Sequence, residues 1–151
     1  MGAVLARWSL SVTEKPDGNC GILVVEDDTA IRRLVTMVLK RQGYQVEVAV
    51  DGVEAVLKLG VCEFDVIVLD LMMPNLDGFT FLETMSIHDP ERLKKIIVTS
   101  AASPAVILER MKGITFELLP KPFEIAELLE RVRICIANQK AEADAKSTSA
   151  T

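Results

Sequence analysis

Apolar residues fall into two alternating kinds of run along this chain. Short, β-branched-rich runs stand at 22–25, 46–50, 66–69 and 96–99, with a weaker one at 116–119. Runs this short and this continuously apolar predict strands buried on both faces, the signature of a parallel sheet. A helical period follows each of them. Ile31, Leu34, Val35, Val38 and Leu39 form a stripe that ends at Gly43, placed as a C-terminal cap. Asp51-Gly52 opens a second segment carrying Val53, Val56 and Leu57, with Gly60 as its stop, and Phe79, Leu82 and Met85 mark a third. Pro104 suits the first turn of a fourth that ends near Gly113. The clearest period is the last: Ile125, Leu128, Leu129, Val132 and Ile136.

Five β-then-α units predict an α/β fold, a doubly wound (βα)5 sandwich around a five-stranded parallel sheet, because parallel strands need crossover helices. Residues 1–19 mix small, polar and turn residues and are expected to form a flexible arm. Residues 139–151 hold no large apolar side chain and are expected to be a disordered tail, too short for a DNA-binding domain. The folded domain is then 20–138.

Bulk properties narrow the function classes. A length of 151 residues suits one core, and half of the residues are apolar. The net charge of −5 offers no electrostatic footprint for nucleic acid or an anionic membrane surface. No apolar run approaches the roughly 18 residues that would span a bilayer, and residues 1–10 do not make a secretory signal. Cys20, Cys62 and Cys135 lack metal-type spacing, and their odd number argues against a disulfide framework. Cys135, between Ile134 and Ile136, reads as a small core residue. A cytoplasmic location is the expectation.

In open α/β sheets ligands bind beyond the carboxyl ends of the strands. There the first run ends in Glu26-Asp27-Asp28, the third in Asp70, the fourth in Thr99-Ser100, and the fifth leads into Lys121-Pro122-Phe123. Asp28 suits a helix N-cap. Clustered carboxylates repel one another unless a positive charge sits between them. A magnesium ion meets that need, with Asp27 and Asp70 as ligands and Glu26 holding a coordinated water. A carboxylate beside a metal can act as a nucleophile and form an aspartyl phosphate. Lys121 then supplies a point charge for one phosphoryl oxygen, and the Thr99 hydroxyl a donor for another.

Four blocks carry a family resemblance: Ile22-Leu23-Val24-Val25-Glu26-Asp27-Asp28; Asp65-Val66-Ile67-Val68-Leu69-Asp70-Leu71-Met72-Met73-Pro74 with Asp77-Gly78; Ile97-Val98-Thr99-Ser100; and Leu119-Pro120-Lys121-Pro122-Phe123. In order and separation they resemble the signature blocks of response regulator receiver domains, over about 21–138. The resemblance implies a flavodoxin-like sheet of strand order 2-1-3-4-5 and a phosphoacceptor role for Asp70. It implies Mg2+ held by Glu26, Asp27, Asp70 and the Met72 backbone carbonyl, a switch hydroxyl on Thr99, a phosphate-contacting Lys121 and a cis Lys121-Pro122 bond. Phosphate would come from a sensor histidine kinase or a histidine phosphotransfer protein. A stand-alone receiver would then signal in trans to a downstream protein through its last two helices and last strand, with no nucleic acid or membrane partner and no separate substrate turnover. One position departs from the family: Leu118 stands where Tyr or Phe is usual, which puts the usual threonine–aromatic coupling in doubt. Phe116, on the same face of the strand, is a weaker substitute, and movement of the segment after Thr99 an alternative route.

Other function classes fit less well. A haloacid dehalogenase-type hydrolase wants a second Asp two residues after the nucleophile, where Met72 stands, and a flavin or dinucleotide protein would want G-x-G-x-x-G after a strand. A phosphorylation-independent interaction module of the same fold is kept open by Leu118 alone. His88, the single histidine, is expected in a polar loop before Pro90 and reads as a surface residue. Trp8 is a lone aromatic in the arm.

Overall fold

The computed structural model describes residues 20–149 except Pro74 and Leu76. The arm expected over 1–19 therefore lies outside the described residues. Among the described residues five strands, β1 (Ile22–Val25), β2 (Val46–Ala49), β3 (Val66–Asp70), β4 (Ile96–Ser100) and β5 (Glu117–Pro120), alternate with five α-helices. These are α1 (Thr29–Arg41), α2 (Gly52–Leu59), α3 (Gly78–His88), α4 (Pro104–Arg110) and α5 (Ile125–Ser149), and a 3-10 helix, Pro90–Lys95, leads into β4. The sheet is parallel throughout in the order β2-β1-β3-β4-β5, as the resemblance implies.

Alternation along the strands feeds two cores. Leu23, Val25, Ile67, Leu69, Ile96 and Val98 face α2, α3 and α4, where Ala55, Leu59, Phe79, Leu82 and Ile107 meet them. Ile22, Val24, Val66, Val68, Ile97 and Leu119 face α1 and α5 through Val35, Leu39, Leu128 and Val132. Each such side chain, taken fully out of water, contributes about 1.5–3 kcal/mol. Aspartates cap three of the helices: Asp28, read as a cap from the sequence, with Asp51 and Asp77, each accepts the backbone N–H three residues on, at 2.9, 2.9 and 2.8 Å. Gly43 follows the end of α1 at φ +91°, a conformation a β-carbon disfavours.

Several expectations need correction. Val53, Val56 and Leu57 are exposed, and α2 buries Gly52, Ala55 and Leu59 instead. Leu34 likewise faces outward. The sequence period marked apolar residues on these helices without saying which face meets the sheet. Helix α5 runs through Ser149, so residues 139–149 are helical where a disordered tail was expected. Ala, Lys and Glu favour a helix even without a core to join, and the Gln139 side-chain amide donates to the Asp65 carbonyl at 2.6 Å. Cys20 and Cys62 form a disulfide, against the inference from an odd cysteine count; their α-carbons lie 6.0 Å apart, within the usual span of a bridge. The 42-residue separation gives no sequence signal for the pairing. Cys135 is half-buried against the α1–α5 core rather than inside it. His88 is the exposed last residue of α3, not part of a loop. No helix among the described residues is long and apolar enough to cross a membrane.

Candidate functional site

The carboxyl ends of β1, β3, β4 and β5 meet at one edge of the sheet and bring Glu26, Asp27, Asp70, Thr99 and Lys121 together. Glu26 and Asp70 are buried, Asp27 is exposed, and one carboxylate oxygen from each lies within 4.8 Å of the others. Parallel register sets Asp70 beside Thr99, and the Leu71 N–H donates to the Thr99 carbonyl at 3.1 Å. Lys121 arrives through its own N–H, which donates to the Ser100 carbonyl at 2.8 Å, and a cis Lys121-Pro122 bond follows, as the resemblance implies.

The Lys121 ammonium lies between two carboxylates, 2.8 Å from Glu26 Oε1 and 3.5 Å from Asp70 Oδ2. Burial acts to lower the Lys121 pKa, but the Glu26 hydrogen bond and the charges of Asp70 and Glu26 outweigh it, so the net shift is upward. One cation does not neutralise the cluster. Burial first, then its hydrogen bond and charge interaction with Asp70, push the Glu26 carboxyl up to about 8 despite the lysine. Glu26 Oε2 is buried with no hydrogen-bond partner. A buried oxygen left without a donor and a carboxyl that holds its proton near neutral pH are what a site short of one positive charge would show. The residues therefore fit a magnesium ion. Glu26, Asp27 and Asp70 are the side chains that would hold it or its waters.

The loop after β3 is held close to this cluster. The Met72 N–H donates to Asp70 Oδ1 at 3.1 Å, while the Met72 side chain is exposed. Gly78 packs so tightly that a β-carbon there would sit 2.6 Å from the Leu71 α-carbon, and its N–H donates to the Leu71 carbonyl at 3.1 Å. Asn75 reaches across to the Asp51 carboxylate at 2.8 Å. Thr99 Oγ1 is buried and makes only a long contact, 3.5 Å, with the Leu69 carbonyl. A cleft of about 550 Å³ opens beside the cluster, between Asp27, Met72 and Met73 on one side and Asp77, Phe79 and Arg110 on the other.

Of the predicted site residues, Glu26, Asp27, Asp70 and Lys121 come together, Thr99 stands beside Asp70 in register, and Met72 meets Asp70 through its N–H. One contributor, Arg32, escaped the sequence reading, and Ser100 was placed at its strand end without a role. Arg32 donates through Nη1 to the Glu26 and Asp27 carbonyls at 3.0 and 3.1 Å, pinning the turn that carries both carboxylates. It lies on α1 with Arg33 beside it, so nothing in the sequence sets it apart. Ser100, fully buried, accepts from the Ala102 N–H at 3.1 Å and shapes the start of the segment after β4. Leu118 and Phe116 both pack, half-buried, against the core shared with α3 and α4.

A doubly wound sheet with an acidic cluster and a lysine at its carboxyl edge defines the class of protein, and comparisons with known proteins then specify it. The family model of the response regulator receiver domain matches residues 22–133, and the chain belongs to that family. It is 38% identical over 133 residues to response regulator MprA of Mycobacterium avium (strain 104), a match that covers 86% of this chain and 57% of the relative. The chain thus spans a little over half the length of the curated relatives it matches. Among solved structures, the Francisella response regulator 1452 receiver domain is similar with TM-score 0.70 and 33% identity, over 80% of this chain and 99% of that one. A CheY-like receiver domain protein from Methanospirillum hungatei JF-1 gives 0.71 and 26%, over 82% and 98%. The chain is a receiver domain of two-component signalling.

Proposed function

We propose that this receiver domain takes a phosphoryl group onto Asp70 in a magnesium-dependent reaction. The observation that carries this reading is the buried Glu26–Lys121–Asp70 arrangement with Glu26 Oε2 left without a partner. In the reaction an Asp70 carboxylate oxygen forms a bond to phosphorus as the bond from phosphorus to the donor's leaving group breaks, giving an acyl phosphate on Asp70. The leaving group departs with the bonding electron pair and takes a proton from water. Bound magnesium would supply charge neutralisation for the phosphoryl oxygens. Lys121 moves its ammonium from carboxylate to phosphoryl oxygen, and Thr99 exchanges its long contact with the Leu69 carbonyl for a stronger, charge-assisted bond. The Met72 N–H keeps the Asp70 side chain in one rotamer throughout.

The donor in this reading is the phosphohistidine of a sensor kinase or of a phosphotransfer protein. Each transfer replaces the Asp70 carboxylate by an acyl phosphate carrying roughly −1.5 to −2 charge, a net gain of about one negative charge, and shifts a pre-existing equilibrium in the surface formed by α4, β5 and α5. That surface passes the signal to a downstream protein. Because Leu118 lacks an aromatic ring, we assign the coupling to the segment Ala101-Ala102-Ser103 after β4, where small side chains impose little steric restraint. The chain is a phosphoacceptor rather than an enzyme with its own turnover.

The test is intact mass after incubation with magnesium and a small acyl- or amidophosphate donor. A gain of one phosphate that both EDTA and Asp70→Asn abolish supports the reading. No gain under any condition overturns it in favour of a phosphorylation-independent module.

A further inference from the structure

Helix α2 has two apolar faces, and the fold uses only one. Gly52, Ala55 and Leu59 are buried under the sheet. Val53, Val56 and Leu57 lie on the outer side, 51%, 46% and 54% exposed, and Val50 before the helix and Val61 after its cap are exposed too. Positions 53, 56 and 57 share one side of a helix with 3.6 residues per turn, so Val53, Val56 and Leu57 form a stripe rather than scattered exposure. The charged residues of α2 serve β2 instead. Lys58 bonds the Val48 carbonyl and pairs with Glu47 and Glu54 at 3.5 and 3.7 Å. A neutral, contiguous apolar stripe marks a docking surface.

Its size argues about the occupant. Five half-exposed aliphatic side chains offer a few hundred Å² at most, well below the roughly 800 Å² per partner of a stable complex. A segment of the same chain needs less, because its tether keeps it at an effective concentration in the millimolar range. The tether is in the right place. The described residues begin at Cys20, whose N–H donates to the Glu63 carbonyl at 2.7 Å and whose side chain is joined to Cys62, next to Val61 at the stripe's end. Before Cys20 the sequence has a polar spacer, 13–19, and before that Val4, Leu5, Trp8, Leu10 and Val12 with Arg7 as the only charge. Along the helix from Gly52 to Leu59 the stripe is about 10 Å long at 1.5 Å per helical residue. A seven-residue spacer can reach about 23 Å.

We propose that the α2 stripe is the docking site of the chain's own N-terminal segment, with Trp8, Leu10 and Val12 covering Val53, Val56 and Leu57. This stands apart from the phosphoacceptor reading and would survive its failure.

Trp8 is the only tryptophan, so its fluorescence in the full chain reports the contact directly. The expected result is a blue-shifted emission shielded from acrylamide. Leu57→Lys and Val53→Lys, both at exposed positions, should each move the emission to that of a water-exposed indole and raise quenching several-fold. Met37→Lys, on the exposed side of α1, should change neither. A wild-type emission already at the water-exposed position overturns the proposal, as does a blue shift indifferent to both α2 substitutions. A blue shift that fades on dilution also overturns it and makes the occupant a second copy of the chain.

Discussion

The two ends of the sheet are built from the same five strands and solve opposite problems. At the amino ends backbone groups are paired: Cys20 N–H with the Glu63 carbonyl, Ile22 N–H with Gln45, Asp65 N–H with Gly21, at 2.7 to 2.9 Å. The Cys20–Cys62 disulfide closes that end, and a β-carbon on Gly21 would collide with the Gln45 carbonyl. At the carboxyl ends two buried carboxylates share one lysine, and a third carboxylate stands beside them in water. Satisfied polar groups give stability, whereas buried charges in excess of their partners cost stability and persist where function needs them. Stability and chemistry should therefore separate when each end is perturbed.

The largest effect expected is on chemistry alone. Asp70→Asn should abolish the magnesium-dependent gain of phosphate completely, read by intact mass. Its thermal midpoint should not fall, because the amide oxygen can still accept the Met72 N–H and one source of repulsion is gone. A clear loss of stability in this variant would break the comparison.

The opposite end should behave in reverse. In the oxidised protein Cys20→Ser should cost about 4 kcal/mol by the chain-entropy relation for a loop of this length, measured by urea unfolding. The extent of phosphorylation should be unchanged. A variant that also lost phosphate uptake would show that the two ends are coupled.

Much of this contrast was legible in the sequence, and for a physical reason. A residue that follows directly after a buried apolar run must lie at a strand end, so Glu26, Asp70, Thr99 and Lys121 declared their shared edge before any contact was known. The N-cap Asp28 was legible and Asp51 nearly so, because a capping bond depends on residues only three positions apart, while the cap at Asp77 was not read. What stayed hidden depends on the third dimension. The Cys20–Cys62 pairing, the grip of Arg32 on two carbonyls and the Lys58 contacts with β2 join residues that no period relates. The outward face of α2 was not legible, because Val53, Val56 and Leu57 do form a helical stripe and periodicity does not say which side meets the core.

Within the site the next effect belongs to Lys121. Lys121→Ala should slow phosphate uptake at least tenfold, about 1.4 kcal/mol of barrier, while stability changes little because Glu26 can take up a proton in its place. Time courses of intact mass together with thermal melts check both halves. Glu26 then makes the contrast depend on pH. Its folded pKa, about 8, lies above the ordinary 4.5, so the folded state holds this proton more tightly than the unfolded state does. Its contribution to stability is greatest at low pH and declines as pH rises from about 4.5 to about 8. Magnesium must displace that proton, so its apparent affinity should weaken about tenfold per pH unit below the Glu26 pKa. Melts at pH 6, 7 and 8 with and without magnesium would show this, and a magnesium effect independent of pH would remove Glu26 from the ion's surroundings.

The smallest effect expected sharpens the comparison most, because it comes from a carboxylate at the chemical end that does structural work. Asp77 accepts the Thr80 N–H at 2.8 Å and caps α3. That hydrogen bond chiefly, with the nearby Arg110 charge among the lesser causes, holds its carboxyl below the usual range. A depressed folded pKa means that the contribution is present above the ordinary 3.8 and lost as pH falls through the folded value. Asp77→Ala should cost about 1 kcal/mol, as N-cap losses do, and should leave phosphate uptake intact. Asp77→Asn, which keeps an accepting oxygen, should recover most of the loss and remove its acid dependence. If Asp77→Ala instead suppressed phosphorylation, the cap would be part of the machinery that holds the Asp70 loop. The division would then run between side chains rather than between the two ends of the sheet.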